Sequence, residues 1–191
     1  RSSHELEMSF VSDLLKKYEI NVSLTRSTIQ GPKKTYRTKD LFAGFSTSAD
    51  STRAYMRAGD LDMNFEGKGY VETLMSQVDA FTTRMNEQWT SKTVVQEELK
   101  TLLPTVCLKV TSGNDNPVYN LLDMNGMRYR KLFMDFDTSP EAGINGEAYL
   151  YDVGTDSLTL DTVSLDLKHS DVGLDFLTEV ISNATPHQEA F

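Results

Sequence analysis

The stretch 118-VYNLLDMNGMRYRKLFMDF-136 decides how the fold is read. Asn125-Gly126 stands between two apolar-rich runs. A type I′ turn needs positive φ at both central residues, so this dipeptide predicts a β-hairpin. A two-residue loop would set Asp123 opposite Arg128 and Leu122 opposite Tyr129. Tyr129 would then share an apolar face with Val118, Leu122 and Phe133, as a core residue.

Downstream of the hairpin the apolar period stays at two. A loop over 138–146 leads to a strand at 147–153. After Gly154-Thr155-Asp156 comes a last strand, with Leu158, Leu160, Val163, Leu165 and Leu167 inward and a slip of register near Asp161 that suggests a bulge. Ser170 or Asp171 is then expected to cap a final helix with Leu174, Leu177, Val180 and Ile181 on its buried face.

Upstream, Val106, Leu108 and Val110 make a strand, ended by the turn cluster 112–117. Before it lie two expected helices. One carries the stripe Val71, Leu74, Met75, Val78, Phe81, Met85 and Trp89, and the other runs from Thr93 to Pro104. Asp60 to Glu66 alternates, with Leu61, Met63 and Phe65 inward. Asp50 to Ala58 reads as a short helix, and 44–51 as loop. A helix over Val11 to Tyr18 and a short strand at 20–24 open the chain. Met8 reads as the natural start, with residues 1–7 an added leader.

Short connections between five strands favour an antiparallel meander, with helices before and after it. The expected class is therefore α+β, a single domain over 8–191 that divides, if at all, into a mixed helical part (8–104) and a meander with its final helix (105–191).

Composition bounds the function. The 191 residues are 39% hydrophobic and 25% charged, as in an ordinary globular domain. No apolar run approaches the ~18 residues of a membrane span, so no membrane partner is expected. Cys107 is the only cysteine. It reads as a reduced thiol, which points to a cytoplasmic setting, although a removed signal peptide would leave no trace. The net charge of −9 is unevenly spread. From Asp135 onward there are 12 acidic residues and one basic, Lys168, whereas residues 1–134 hold 18 basic and 16 acidic.

Four constellations could carry chemistry. The aspartates of the C-terminal third (Asp152, Asp156, Asp161, Asp166, Asp171 and Asp175) form an acidic face suited to a basic protein partner. Lys33, Lys34, Tyr36 and Arg37, with Arg128, Arg130 and Lys131, supply the cations and rings that hold single-stranded nucleic acid. Asp135 and Asp137 would point to one side of a strand, as a Mg²⁺-binding pair beside phosphate does. The words LFMDFDTS around them resemble the aspartate motif of haloacid-dehalogenase-type phosphatases. That motif opens a parallel-sheet domain, whereas a meander is expected here. The three histidines, His4, His169 and His187, stand outside any nucleophile motif, and no Walker loop, G-x-G-x-x-G or zinc spacing occurs.

The resulting expectation is a non-enzymatic binding or assembly protein without a cofactor. It would dock a protein partner, or a second copy, through the acidic face or a sheet edge. A single-stranded nucleic-acid-binding accessory protein is the first alternative. A metal-dependent phosphate-handling enzyme built on Asp135 and Asp137 is the second.

Overall fold

A computed structural model describes residues 5–12, 17–25, 28–30, 35–155, 158–170 and 173–182. Of residues 29, 30 and 36 it describes the backbone alone. The described elements are β1 (Glu5–Ser12), β2 (Tyr18–Thr25), β3 (Thr28–Gln30), β4 (Thr35–Arg37), β5 (Leu41–Thr47), β6 (Ser51–Ala58), β7 (Leu61–Lys68), α1 (Val71–Thr90), α2 (Gln96–Thr101), β8 (Val106–Ser112), α3 (Pro117–Met124), β9 (Lys131–Ser139), β10 (Gly143–Gly154), β11 (Thr159–Ser170) and β12 (Gly173–Ile181). Ten strands make one antiparallel sheet in the order β1-β2-β5-β6-β7-β8-β9-β10-β11-β12, and β3 and β4 form a separate two-stranded ribbon. The expected α+β class with a five-stranded sheet is therefore wrong. The molecule is mostly sheet, and its three helices are inserted between strands.

Two expected helices are strands, and a third, over Val11 to Tyr18, falls in large part outside the described residues. β6, STRAYMRA, alternates Thr52, Ala54, Met56 and Ala58 against Ser51, Arg53, Tyr55 and Arg57. The small size of threonine and alanine hides that period-two pattern. β1 alternates Leu6, Met8 and Phe10, residues set aside in part as leader, and the helical spacing from Val11 runs into 13–16, outside the described residues. β12, GLDFLTEVI, is apolar on both sides, so helical spacing can be picked out of it; its Phe, Thr, Val and Ile favour the extended chain. The span 44–51, expected as loop, begins inside β5.

The predicted hairpin is a helix. The same residues serve as helix punctuation: Asn116 caps α3 by accepting from Tyr119 N–H at 2.8 Å, and Pro117 takes the first turn. Asn125-Gly126 ends it, with Gly126 at φ +80° and the N–H of Met127 donating to Leu122 C=O. The pairing of Asp123 with Arg128 therefore does not exist. Tyr129 is still buried: its hydroxyl lies 2.6 Å from Ser112 Oγ and its ring meets Tyr119 edge-on. The expected bulge in β11 is also absent, because Thr162 and Leu160 pair in step with Tyr151 and Val153. The irregular residue is Asp152 in β10, at φ +50°.

The register puts unlike residues on the two faces. On one, Asn21, Gly44, Tyr55, Asn64, Lys109, Asp135, Glu147 and Asp166 form a continuous row across eight strands. One residue along each strand, the opposite face carries Val22, Ala43, Met56, Met63, Val110, Met134, Ala148 and Leu165. Two residues further lies a second apolar row: Ile20, Phe45, Ala54, Phe65, Leu108, Phe136, Gly146 and Leu167. Such one-sided alternation is what an antiparallel sheet shows when one face must leave water. No helix among the described residues is long and apolar enough to cross a membrane.

Candidate functional site

On the apolar face, burial is found at the two ends of the strands and not in the middle. At the α3 end, Ala58, Leu61 and Ser112 are buried, and Asn116 is held there by Asp60 Oδ1 (2.7 Å), Ser112 Oγ (3.0 Å) and Gly113 C=O (2.9 Å). At the other end Thr47, Thr52 and Gly67 are buried. Thr47 Oγ and Thr52 Oγ lie 2.8 Å apart, and Thr47 Oγ also accepts from Val71 N–H, which ties the start of α1 to the sheet. The sixteen side chains between these ends, two from each of eight strands, are all only half buried. A packed domain does the reverse and buries its middle first. The described fully buried apolar residues are Ala58, Leu61, Leu74, Leu103 and Tyr129.

The helices make rims to this open floor. Leu74 of α1 sits against Gly67 in β7, and Gln96 of α2 lies beside Gly173 at the start of β12. The α1–α2 arm therefore meets the sheet at the end of β7 on the apolar face, and at the start of β12 where Gly173 falls on the polar-face side of the register. Gln88 fastens its elbow, accepting from Val95 N–H at 2.7 Å and donating to Glu98 at 2.9 Å, while Arg84 bridges Glu87 and Glu98. Both carboxylates hold the Arg84 guanidinium above its ordinary pKa. The stripe that Leu74 begins continues through Val78 and Met85, which stay 46% and 40% exposed. The expected helix is thus present, but its apolar stripe is not core.

With same-face rows ~6.8 Å apart and strands ~4.8 Å apart, the floor is ~34 Å long and covers about 500 Å². A contiguous apolar patch of about 500 Å² lies in the upper part of the range that monomers expose. Its residue types suit an adaptable ligand site: Met56, Met63 and Met134 reshape readily, and Ala43, Ala54 and Ala148 leave depth beside Phe45 and Phe65, while the Phe136 ring covers Gly146. Gly67 is the point where rim and floor meet, since Leu74 occupies the space a side chain there would need. Gly67→Val is expected to lower the urea midpoint by an amount equivalent to ~1–3 kcal/mol. It should also raise hydrogen exchange in the first turns of α1, with β9–β11 unaffected.

The residues singled out by charge fall elsewhere. Asp166 and Asp175 lie on the polar face, beside Glu147 and Lys168 in register. Asp152 is engaged by Arg130, and Asp161 stands opposite it in the β10–β11 register. Asp156 and Asp171 lie outside the described residues, as do Lys33 and Lys34. Arg37 belongs with Tyr36 to β4 in the separate ribbon, whereas Arg128 bridges Gly154 and Lys131 opens β9. The cations proposed for nucleic acid are thus divided between two sheets. Asp135 and Asp137 do share the polar face, but Asp135 accepts from Lys109 Nζ at 2.8 Å. That contact holds the Lys109 ammonium above its usual pKa. Among the described residues no group of three or more His, Cys, Asp or Glu side chains could hold a metal ion. Cys107 is free and half buried, on the polar face beside Asp137.

Sequence reasoning found Leu61, Met63 and Phe65, half-hidden in one strand, but not the floor they belong to. The signal was available as period-two alternation in β5 and β9, where Leu41, Ala43 and Phe45, and Leu132, Met134 and Phe136, recur at every second position. Compared with known proteins, the chain matches no family model, no curated protein and no solved structure.

Proposed function

We propose that this chain is a binding protein for an elongated apolar ligand, an acyl chain or a molecule of that shape, lying across the strands between the two rims. The observation that supports this reading is the inverted burial: closed strand ends and an apolar middle left half exposed. Leaving such surface in water forgoes about 25 cal/mol of transfer free energy per Å². A ligand that covers part of it recovers a share large enough for tight binding after the costs of association.

A protein occupant fits less well. Stable interfaces cover ~800 Å² on each partner, more than the floor offers, and a second sheet would have to approach to ~10 Å over rims built by α1–α2 and α3. A flexible chain only a few ångströms thick meets neither obstacle. Docking through the acidic face has weaker support, because Asp152 is engaged by Arg130 and Asp166 and Asp175 share their face with Lys109 and Lys168.

The test is a titration with saturated acyl probes of increasing length. Each methylene buried contributes ~0.8 kcal/mol, so Kd is expected to tighten about fourfold per added carbon until the floor is filled, and then to level off. Affinity independent of chain length, or no saturable binding at any length, would remove this reading.

A further inference from the structure

The outer edge of β12 is unlike that of β1. Both end the sheet and both are exposed along their length. On its polar-face side β1 shows Glu5, Glu7 and Ser9, with one exposed apolar residue, Val11. β12 also carries two carboxylates there, Asp175 and Glu179, but alternates them with two larger apolar residues, Leu177 and Ile181, 56% and 49% exposed, with Leu177 in register beside Asp166. On the floor side it adds Leu174, Phe176 and Val180, also exposed. A strand with exposed apolar side chains on both faces and no proline, lysine or bulge has only its two carboxylates, Asp175 and Glu179, to keep its edge from pairing.

We propose that β12 pairs antiparallel with β12 of a second copy, giving a two-fold dimer in which two sheets become one. The charges of the strand select the register. An antiparallel pair centred on Asp175, Leu177 or Glu179 would set carboxylates directly opposite one another, Asp175 against Glu179 in the case of Leu177, which is destabilising. Centring on Phe176 or Thr178 keeps them apart. In the register centred on Thr178, Phe176 faces Val180 and Asp175 faces Ile181, an aromatic–β-branched pair on the floor side with no like-charge contact. The floors of the two copies are then continuous through the joined edge. A two-fold pairing of β12 closes on itself, whereas β1-to-β12 pairing would propagate into filaments and would set Glu5 and Glu7 of one copy against the strand carrying Asp175 and Glu179. This inference stands on the edge alone and does not require the floor to bind a ligand.

The mass of the full chain in solution, measured by light scattering at high micromolar concentration, is expected to be twice 21.5 kDa. Leu177→Lys is expected to return it to the monomer while leaving the circular dichroism spectrum unchanged. In a Cys107→Ser background, single cysteines at 176, 177 and 178 read the register. Directly opposed residues come within disulfide distance, whereas diagonal ones do not. Rapid oxidative dimerisation of Thr178→Cys or Phe176→Cys, but not of Leu177→Cys, supports the pairing. A monomeric wild-type chain, an unaltered dimer in Leu177→Lys, or cross-linking strongest at 177 would overturn it.

Discussion

Met63→Asp is expected to weaken acyl-probe binding at least a hundredfold while costing less than about 2 kcal/mol of folding free energy. The two effects separate because of where Met63 lies. It occupies the middle of the floor, between Met56 and Val110, and is half buried. A carboxylate there keeps much of its hydration while the floor is empty. A bound acyl chain would expel that water, and an unpaired buried charge costs several kcal/mol. In a filled core the same substitution would be felt in folding first, because the water is already gone. Met63→Leu, similar in volume and still apolar, is expected to keep both binding and stability. Urea unfolding beside probe titration of the three proteins checks the separation. A loss of stability above ~4 kcal/mol in Met63→Asp would mean that the site is core.

Asn116→Ala is expected to cost about 3 kcal/mol, the largest stability loss of any single polar truncation in the molecule. Asn116 is 1% exposed and joins three segments. Its amide donates to Asp60 after the β6–β7 turn, to Ser112 at the end of β8, and to Gly113 C=O, while its oxygen caps α3. Loss of the cap alone costs ~1 kcal/mol. Leaving the buried Ser112 Oγ and the Gly113 C=O short of a donor adds ~1–3 kcal/mol, whereas Asp60 is exposed and keeps the Asp115 N–H. Asn116→Asp separates the two roles: it retains a capping oxygen but sets a second carboxylate against Asp60, and so is expected to recover none of the loss. Chemical denaturation of both variants measures this, and a cost below ~1 kcal/mol for Asn116→Ala would contradict the part assigned to this residue in closing the α3 end.

These two residues also show what could be read from the chain beforehand. β7, β8, α1 and much of β10 and β11 were legible because their apolar residues are large and recur at one clear period. β6 was not, since threonine and alanine carry too little hydrophobic contrast to mark a face. At 116–126 the residues were read correctly as punctuation but assigned to the wrong element. Asn-Pro and Asn-Gly mark turns, yet they also mark the two ends of a helix, and the eight residues between them suit a helix as well as a strand. The floor could not be found from any one segment. It exists only through register, which places Met56, Met63 and Met134 from three strands in one row. Charge drew attention to the opposite face, where Asp135 and Asp166 lie because that face meets water.

The central claim is that the open middle of the apolar face is where a ligand lies, and the methionines report on it directly. The chain has eight: Met56, Met63 and Met134 on the floor, Met124 and Met127 at the α3 end, Met75 and Met85 on the arm, and Met8 on the edge strand β1. In a methyl NMR titration with a saturated acyl chain, the Met56, Met63 and Met134 methyls are expected to shift together and saturably, with Met124 and Met127 unchanged. Saturable shifts confined to Met124 and Met127, or none in the three floor methyls at saturating ligand, would contradict it.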